Sequence, residues 1–427
     1  MPENYVLLER TELNASAASV TFANIPQTGY TDLKIVVSAR TDFAGNTANL
    51  YLRPNNLTTN LSQRELYGTG STATSTTDAH LGLPVVGASA TANTFGNYEV
   101  YIPNYTSSNN KSFSFDSVTE NNATAVLTML SAGLWSQTAA ITSIVFTADG
   151  NLVAGSTFSL YGIAALGTTP AIAPKASGGN IIDFDGTYWI HTFLTSGTFT
   201  PQTGLTCDVL VVAGGGGGSA VIGGGGGAGG YLYHTSQSLT AINYGVAVGA
   251  GGSGSNGSNS QFGSITASVG GGAGARPGLA GGSGGGGGWN GGSGTNTGGA
   301  ASPSGQGNAG GSSSSDNAGG GGGGASAAGQ SISGASGGNG GAGLANSISG
   351  TSVTYAGGGG GGRRTSAGGS SGAGGAGGGG AGGSTGVGNN GTTNTGGGGG
   401  GATYSGDPSQ NGGAGGSGIV IIRYPAA

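Results

Sequence analysis

The sequence predicts an all-β protein in which an N-terminal jelly-roll-like β-sandwich is followed by a small β base and a glycine-rich polyglycine II helix bundle. Three observations lead to this prediction. Short apolar or alternating runs recur between turn residues throughout residues 1–167, where helical periodicity is nearly absent. Most of the 103 glycines lie after Val212. Two apolar runs, 208–212 and 418–422, enclose that glycine tract and read as buried strands that pair.

The N-terminal domain is expected to span residues 1–167, which is long enough for a hydrophobic core of its own. Its strand signals are spaced as in a sandwich. The segment 55–94 is rich in Thr, Ser and Asn, and it predicts a long loop or an irregular edge. The strand signals fall at residues 5–8, 19–22, 33–37, 50–52, 98–102, 112–115, 125–130, 141–146 and 156–161.

A linker is expected at residues 168–180, because prolines and small residues there disfavour a packed element. The β base follows at 181–212. We expect it to continue inside the glycine tract wherever apolar residues return. The predicted strands of the base cover residues 181–184, 188–194, 197–200 and 208–212, followed by 231–233, 244–248 and 262–269.

The glycine-rich domain, residues 213–427 with a closing strand at 419–424, cannot be held together by a side-chain core. An extended helix of roughly three residues per turn has no internal hydrogen bonds, so each N–H and C=O needs a partner on a neighbouring run. Fixing a residue costs roughly 1–2 kcal/mol and a hydrogen bond returns about 0.5–1.5 kcal/mol. The bundle therefore needs fixed ends, which the two bracketing strands supply.

Two other structures suit glycine-rich chains. Disorder is typical of glycine and serine without a strict period, but the tract contains no Lys and no Glu, unlike most disordered segments. Collagen requires glycine at every third position together with abundant proline. The chain has 12 prolines and no such period, so collagen is excluded.

Composition excludes several classes of function. Charged residues make up 6% of the chain and the net charge is −5, so we expect no nucleic-acid partner and no polybasic membrane patch. No apolar run is long enough to predict membrane insertion, and the first residues lack a signal-peptide pattern. The single cysteine, Cys207, allows no intrachain disulfide and reads as a small buried hydrophobe.

No catalytic, cofactor or metal site is predicted. The G-x-S-x-G matches at 281–285, 368–372 and 382–386 lack the strand and helix of a nucleophile elbow. The three histidines, at positions 80, 191 and 234, lack metal-ligand spacing, and His191 reads as structural or surface-exposed. Asp183 and Asp185 could share a strand face as in a glycosidase, but solvated turn acids are the favoured interpretation. We therefore expect a protein that is not an enzyme.

Several motifs resemble the glycine-rich domain of bacteriophage virion proteins, especially tail fibres and other surface proteins of marine phages. They are YWIHTF at 188–193, DVLVVAGGGGG at 208–218, GGGGGAGGY at 223–231 and GGAGGSGIVIIRY at 412–424. LLERTEL at 7–13, SVTFANIP at 19–26 and YTDL at 30–33 are similar to a β-domain that often begins such proteins. The tract is also loosely similar to phage tip adhesins, whose polyglycine II layers display receptor-binding loops, although those adhesins lack this β-domain.

The resemblance implies a tail fibre or spike on the virion surface, made in the host cytoplasm, with residues 1–167 as a virion-attachment or oligomerisation domain. Fibres of this kind are commonly homotrimers. The expected partners are other virion proteins and a host cell-surface polysaccharide or outer-membrane receptor. Three alternatives remain: a capsid decoration or capsid fibre protein, a polyglycine II ice-binding protein and a depolymerase. Large or charged side chains beside turns are the candidates for receptor binding, because aromatic faces and guanidinium groups suit sugars: Arg276, Trp289, Asn290, Tyr355, Arg363, Arg364 and Tyr404.

Overall fold

The computed structural model describes residues 5–119, 127–164, 173–289, 294–313, 317–407 and 409–426. It is all-β, as predicted. The chain divides into two compact units. The first comprises Met1–Lys175, Asn180–Trp189 and Pro425–Ala427, and the second comprises Ala176–Gly179 and Ile190–Tyr424.

Strands carry most of the regular structure of the described residues, which also include a short 3₁₀ helix at Thr365–Ala367. In chain order the strands are β1 (Tyr5–Glu12), β2 (Ala17–Phe22), β3 (Tyr30–Ala39), β4 (Thr47–Pro54), β5 (Leu61–Gly68), β6 (Ala73–Asp78), β7 (Gly82–Val86), β8 (Gly96–Ile102), β9 (Lys111–Val118), β10 (Thr128–Trp135), β11 (Ile144–Leu152), β12 (Thr157–Ala164), β13 (Ala176–Ser177), β14 (Ile181–Phe184), β15 (Tyr188–Phe193), β16 (Gly197–Pro201), β17 (Leu205–Val212), β18 (Tyr231–Leu239), β19 (Tyr244–Ala247), β20 (Gln261–Phe262), β21 (Leu344–Asn346), β22 (Val353–Tyr355) and β23 (Ile419–Pro425).

The first unit is a β-sandwich. Its larger sheet has the order β14-β1-β12-β3-β8-β9-β10-β5-β6, and its smaller sheet is β2-β11-β4-β7. Strands such as β8 and β9 alternate buried and exposed residues, so each sheet buries one face. The two buried faces share one hydrophobic core, in which the Phe146 ring of β11 lies 5.2 Å from the Phe158 ring of β12.

For residues 55–94, the alternative of a long loop is wrong, because β5, β6 and β7 lie within it. The alternative of an edge holds for β6, which is the edge strand of the larger sheet. The β5–β6 hairpin is polar: β6 has no buried residue, so it shows no apolar alternation. Threonine favours strands through its branched Cβ, and this signal was outweighed by the loop-like composition. By contrast, β7 is buried along its whole length.

The boundaries of the β base also differ from the prediction. β14, expected in the base, pairs instead with β1 of the sandwich, with Arg10 opposite Ile182. β13 lies inside the segment expected to be a linker and pairs with β16, with Ala176 opposite Pro201. Two residues are enough for that pairing, since a ladder needs backbone groups and not an apolar run.

Strands of the second unit enclose the glycine tract as expected. β23 pairs antiparallel with β17, from Asp208 opposite Arg423 to Val212 opposite Ile419, and an ion pair of 3.0 Å joins the side chains of Asp208 and Arg423. The sheet order is β18-β17-β23, followed by residues 190–193 of β15. A separate four-stranded sheet has the order β13-β16-β19-β20, and β21 and β22 form a hairpin.

Between these strands the glycine runs form a hydrogen-bonded bundle with a period of three. In the run 213–219, the N–H groups of Ala213, Gly216 and Ser219 donate to the run that returns to β18, at distances of 2.9–3.0 Å. The two intervening sets of N–H groups donate to two other runs, 255–258 and 413–416. Successive residues thus bond to different neighbours in rotation, as a polyglycine II helix of three residues per turn requires. The predicted bundle is confirmed.

Candidate ligand-binding site

The glycine bundle has two distinct ends. The run 213–219 leaves β17, turns at residues 219–222 and returns to β18, so this turn lies at the end away from these strands. A polyglycine II helix rises about 3.1 Å per residue, which makes a run of this length about 20 Å long. We call the end at the 219–222 turn the tip, and the end at β17 and β18 the base end.

Four of the predicted site residues meet at the tip. The guanidinium carbon of Arg276 lies 5.9 Å from the centre of the Trp289 ring, and that of Arg364 lies 5.4 Å from it. The Arg364 guanidinium also lies 5.7 Å from the centre of the Tyr404 ring. These distances are within the range of cation–π attraction, which contributes about 0.5–1 kcal/mol at exposed sites. We call Arg276, Trp289, Arg364 and Tyr404 the tip cluster.

The 219–222 turn is held by the tip cluster. Nη2 of Arg276 donates to the carbonyl oxygens of Ala220 and Val221, both at 2.9 Å. The backbone N–H of Trp289 donates to the carbonyl of Ile222 at 3.1 Å. Val221 and Ile222 have φ values of 45° and 50°, which β-branched residues rarely adopt. Such strain persists only where surrounding contacts impose it, and here those contacts come from the cluster.

Backbone hydrogen bonds fix the other half of the cluster. The N–H of Tyr404 donates to the carbonyl of Arg363 at 2.8 Å, and that of Thr365 donates to the carbonyl of Tyr404 at 3.0 Å. The N–H of Arg364 donates to the carbonyl of Asn317 at 2.7 Å. Three segments distant in sequence are therefore tied together, so the guanidinium and phenol groups are displayed by rigid backbone.

The remaining predicted residues have different surroundings. Arg363 adjoins the cluster in sequence, and its Nη2 donates to the carbonyl of Ser384 at 3.3 Å. Tyr355 is not in the cluster: it is 3% exposed and ends β22 beside Ala356, whose N–H donates to Thr395. Asn290 lies outside the described residues.

A groove of about 540 Å³ adjoins the tip cluster and has Arg276 on its rim. Sequence reasoning missed it, because its walls are glycines, alanines and serines that resemble the rest of the tract. Ligand pockets commonly have volumes of roughly 300–1,000 Å³, so the groove is large enough for a small ligand. It is lined by Gly218, Ser219, Ala220, Ser253, Gly254, Gly274, Ala275, Arg276, Asn411 and Gly412.

The carboxylates considered for glycosidase chemistry do not face a cleft. Asp185 accepts hydrogen bonds from the backbone N–H groups of Thr187 and Tyr188, at 2.9 and 2.7 Å, as a turn acid does. Burial, followed by the nearby Asp183 carboxylate, raises the pKa of Glu9 to about 9. Glu9 and Asp183 line a cavity of about 10 Å³, which holds at most one water molecule and cannot admit a sugar ring.

His191 and Cys207 are buried, structural residues. His191 and Cys207 are 0% and 2% exposed, and burial raises the pKa of the Cys207 thiol to about 12. Nδ1 of His80 lies 2.7 Å from the Asp78 carboxylate. Within the described ranges, His, Cys, Asp and Glu side chains form no group of three or more that could hold a metal ion.

A protein family described as "Glycine-rich domain" matches residues 193–425, which is more than half of the chain. The chain belongs to this glycine-rich domain family. The match begins in β15 and ends in β23, so it takes in the strands around the tract as well as the glycine runs. No curated protein and no solved structure matches the chain. Among the described residues, no helix is both long enough and apolar enough to cross a bilayer.

Proposed function

We propose that this glycine-rich domain protein is a non-enzymatic structural protein of a bacteriophage virion, of the tail fibre or spike type, and that its tip contacts the host cell surface. One observation supports recognition at the tip above all others. Arg276, Trp289, Arg364 and Tyr404 come from distant parts of the sequence and form one group at the tip of the bundle.

The way the bundle is held together favours a role in presenting a few side chains to a receptor. Nearly every buried run bonds to its neighbours through backbone groups, which leaves few side chains and concentrates them in the turns. Residues 213–418 contain only five charged residues, Arg276, Asp316, Arg363, Arg364 and Asp407. Aromatic rings and arginines are the side chains most often found at binding hot spots. A stiff scaffold reduces the entropy lost when such groups bind a receptor.

Adsorption to host cells tests this proposal. In a phage that carries the gene, Trp289→Ala should lower the adsorption rate constant about tenfold or more, because the ring supports both guanidinium groups. Val387→Ala is the matched control. Val387 is apolar and 59% exposed, and it follows shortly after Ser384, whose carbonyl accepts a hydrogen bond from Arg363. The control should adsorb within twofold of wild type, and both variants should assemble into particles. Normal adsorption of the Trp289→Ala particles would contradict recognition by the cluster.

We also propose a homotrimer at the virion surface. Leu66 and Leu130 face each other across β5 and β10 and are 53% and 57% exposed; apolar side chains gathered in this way commonly mark an interface. Light scattering at micromolar concentration should give about three times the 40.1 kDa mass of the chain. A stable monomer would contradict the trimer. Location on the capsid in a virion map would favour the alternative, a decoration protein.

A further inference from the structure

We propose that the groove at the tip binds a carboxylate-bearing sugar, such as a hexuronic acid unit of a surface polysaccharide, with the Arg276 guanidinium contacting the carboxylate. This inference rests on the proposed function, since it names the chemical class of the receptor. It assigns a role to groove residues that carry no signal in the sequence, among them Ser253 and Asn411.

Arg276 carries the positive charge at the rim of the groove. Arg276 is exposed, and within the described residues it forms no salt bridge. Its Nη2 is engaged by two carbonyl groups, whereas a guanidinium offers five N–H donors. Nη1 and Nε thus remain as donors. Each paired edge of a guanidinium includes the engaged Nη2, so the contact proposed here is a single charge-assisted hydrogen bond from Nη1 to the carboxylate.

The orientation of Arg276 is fixed before any ligand binds. The carbonyl oxygens of Ala220 and Val221 hold Nη2 from one side, and the Trp289 ring lies 5.9 Å from the guanidinium carbon. An arginine that is already immobilised loses less side-chain entropy on binding. The guanidinium is therefore preorganised on the rim of the groove.

The local field also favours an anion. Arg363 and Arg364 lie at the same end of the bundle and add to the positive charge. The described carboxylate at this end is that of Asp407, which accepts hydrogen bonds from the backbone N–H of Ser409 and from the side chains of Ser409 and Gln410. Those hydrogen bonds lie within its own turn, and among the described residues it forms no salt bridge with Arg276.

The walls of the groove suit a sugar. They are built from small residues, so glycine backbone and the side chains of Ser219, Ser253 and Asn411 face the space. The Ser219 hydroxyl accepts a hydrogen bond from the N–H of Gly224 at 2.9 Å, and its own proton is left for donation. Sugar hydroxyls both donate and accept, so they match such a lining. An apolar peptide side chain would find no apolar pocket.

Calorimetric titration of the full chain with tetragalacturonate tests the inference. The acid form should bind, and its methyl ester, which has the same rings without charge, should bind at least tenfold more weakly. Arg276→Met should lower affinity for the acid at least tenfold, and Arg276→Lys should lower it less. Because Arg276 also holds the 219–222 turn, Ser253→Trp provides a second variant that fills the groove and keeps the hydrogen bonds from Arg276 to that turn. It should abolish binding.

The outcomes separate this inference from the proposed function. Equal affinities for the acid and the ester, or full binding by the Ser253→Trp variant, would overturn the carboxylate site. Saturable binding of inorganic phosphate at millimolar concentration, with no tetragalacturonate binding, would show an oxyanion site for phosphate and would also overturn the carboxylate site. If Ser253→Trp particles adsorb normally while Trp289→Ala particles do not, the groove inference fails and recognition by the tip cluster stands.

Discussion

Replacing Gly226 by Ala is expected to destabilise the glycine-rich domain by about 4 kcal/mol, more than a typical core substitution. A Cβ at this position would lie 2.0 Å from the carbonyl oxygen and 2.6 Å from the carbonyl carbon of Gly216. Both atoms belong to the backbone of the neighbouring run, which has no flexible side chain that could move aside. The two runs would have to separate.

Separation is costly because Gly226 also forms backbone hydrogen bonds with two further runs. Its N–H donates to the carbonyl of Gly399 at 2.7 Å, and its own carbonyl accepts from Gly359 at 2.8 Å. Overpacking alone costs about 1–3 kcal/mol, and each lost hydrogen bond adds about 0.5–1.5 kcal/mol. A shift of one run also moves its other neighbours, so the loss spreads through the bundle.

Gly245→Ala is the matched control. Gly245 is exposed in β19 of the same unit, it has no positive φ, and an added Cβ would meet nothing within 4 Å. This variant should keep wild-type stability or gain up to about 1 kcal/mol, because alanine restricts the unfolded chain. Urea unfolding of the two variants gives the comparison. A Gly226→Ala midpoint equal to that of wild type would mean that the runs do not contact each other as described.

The sequence allowed prediction of those features that depend on composition and on local pattern. The absence of side chains in the tract required backbone bonding between runs, and the apolar runs on either side of it predicted the β17–β23 pair. β6 could not be predicted in this way, because it has no buried residue and its small and polar side chains show no apolar period. The place of β14 beside β1 depends on register with a distant strand, which no local pattern encodes.

For the tip cluster, too, the identity of the residues could be predicted from the sequence, whereas their contacts could not. Arg276, Trp289, Arg364 and Tyr404 could be selected as large side chains beside turns in a nearly bare tract. Their convergence required the path of the glycine runs, which the repetitive sequence leaves open. Tyr355 met the same criterion as the others and yet is buried away from the cluster. The groove had no signal at all, since it consists of space that small residues leave unfilled.

Acidification from pH 6.5 to pH 4 should remove stability on the order of 3 kcal/mol through His191, since one pKa unit corresponds to about 1.4 kcal/mol. Burial lowers the pKa of this imidazole to about 4 from its usual 6.5. In that window the unfolded chain binds a proton that the folded chain does not, so stability falls as the pH falls. The contribution is complete above pH 6.5 and absent below pH 4.

The surroundings of His191 explain why it stays neutral. Nδ1 lies 2.6 Å from the carbonyl of Gly178, which can only accept, so Nδ1 carries the proton. Nε2 lies 3.0 Å from Oη of Tyr424, which also accepts a hydrogen bond from the N–H of Ala176 at 3.1 Å. The Tyr424 hydroxyl must therefore donate to Nε2. A second proton on the ring would compete for that position, and Phe199, 5.1 Å away edge-on, offers no charge.

Chemical denaturation of wild type and His191→Gln between pH 4 and pH 8 isolates this contribution. Other groups titrate in the same window, including Glu9, so the quantity to follow is the difference in unfolding free energy between the two proteins. Wild type should be the more stable at pH 8, and its advantage should shrink by on the order of 3 kcal/mol at pH 4. Parallel stability profiles would show that His191 is protonated equally in the folded and unfolded chains, which a buried neutral imidazole bonded at both nitrogens does not allow.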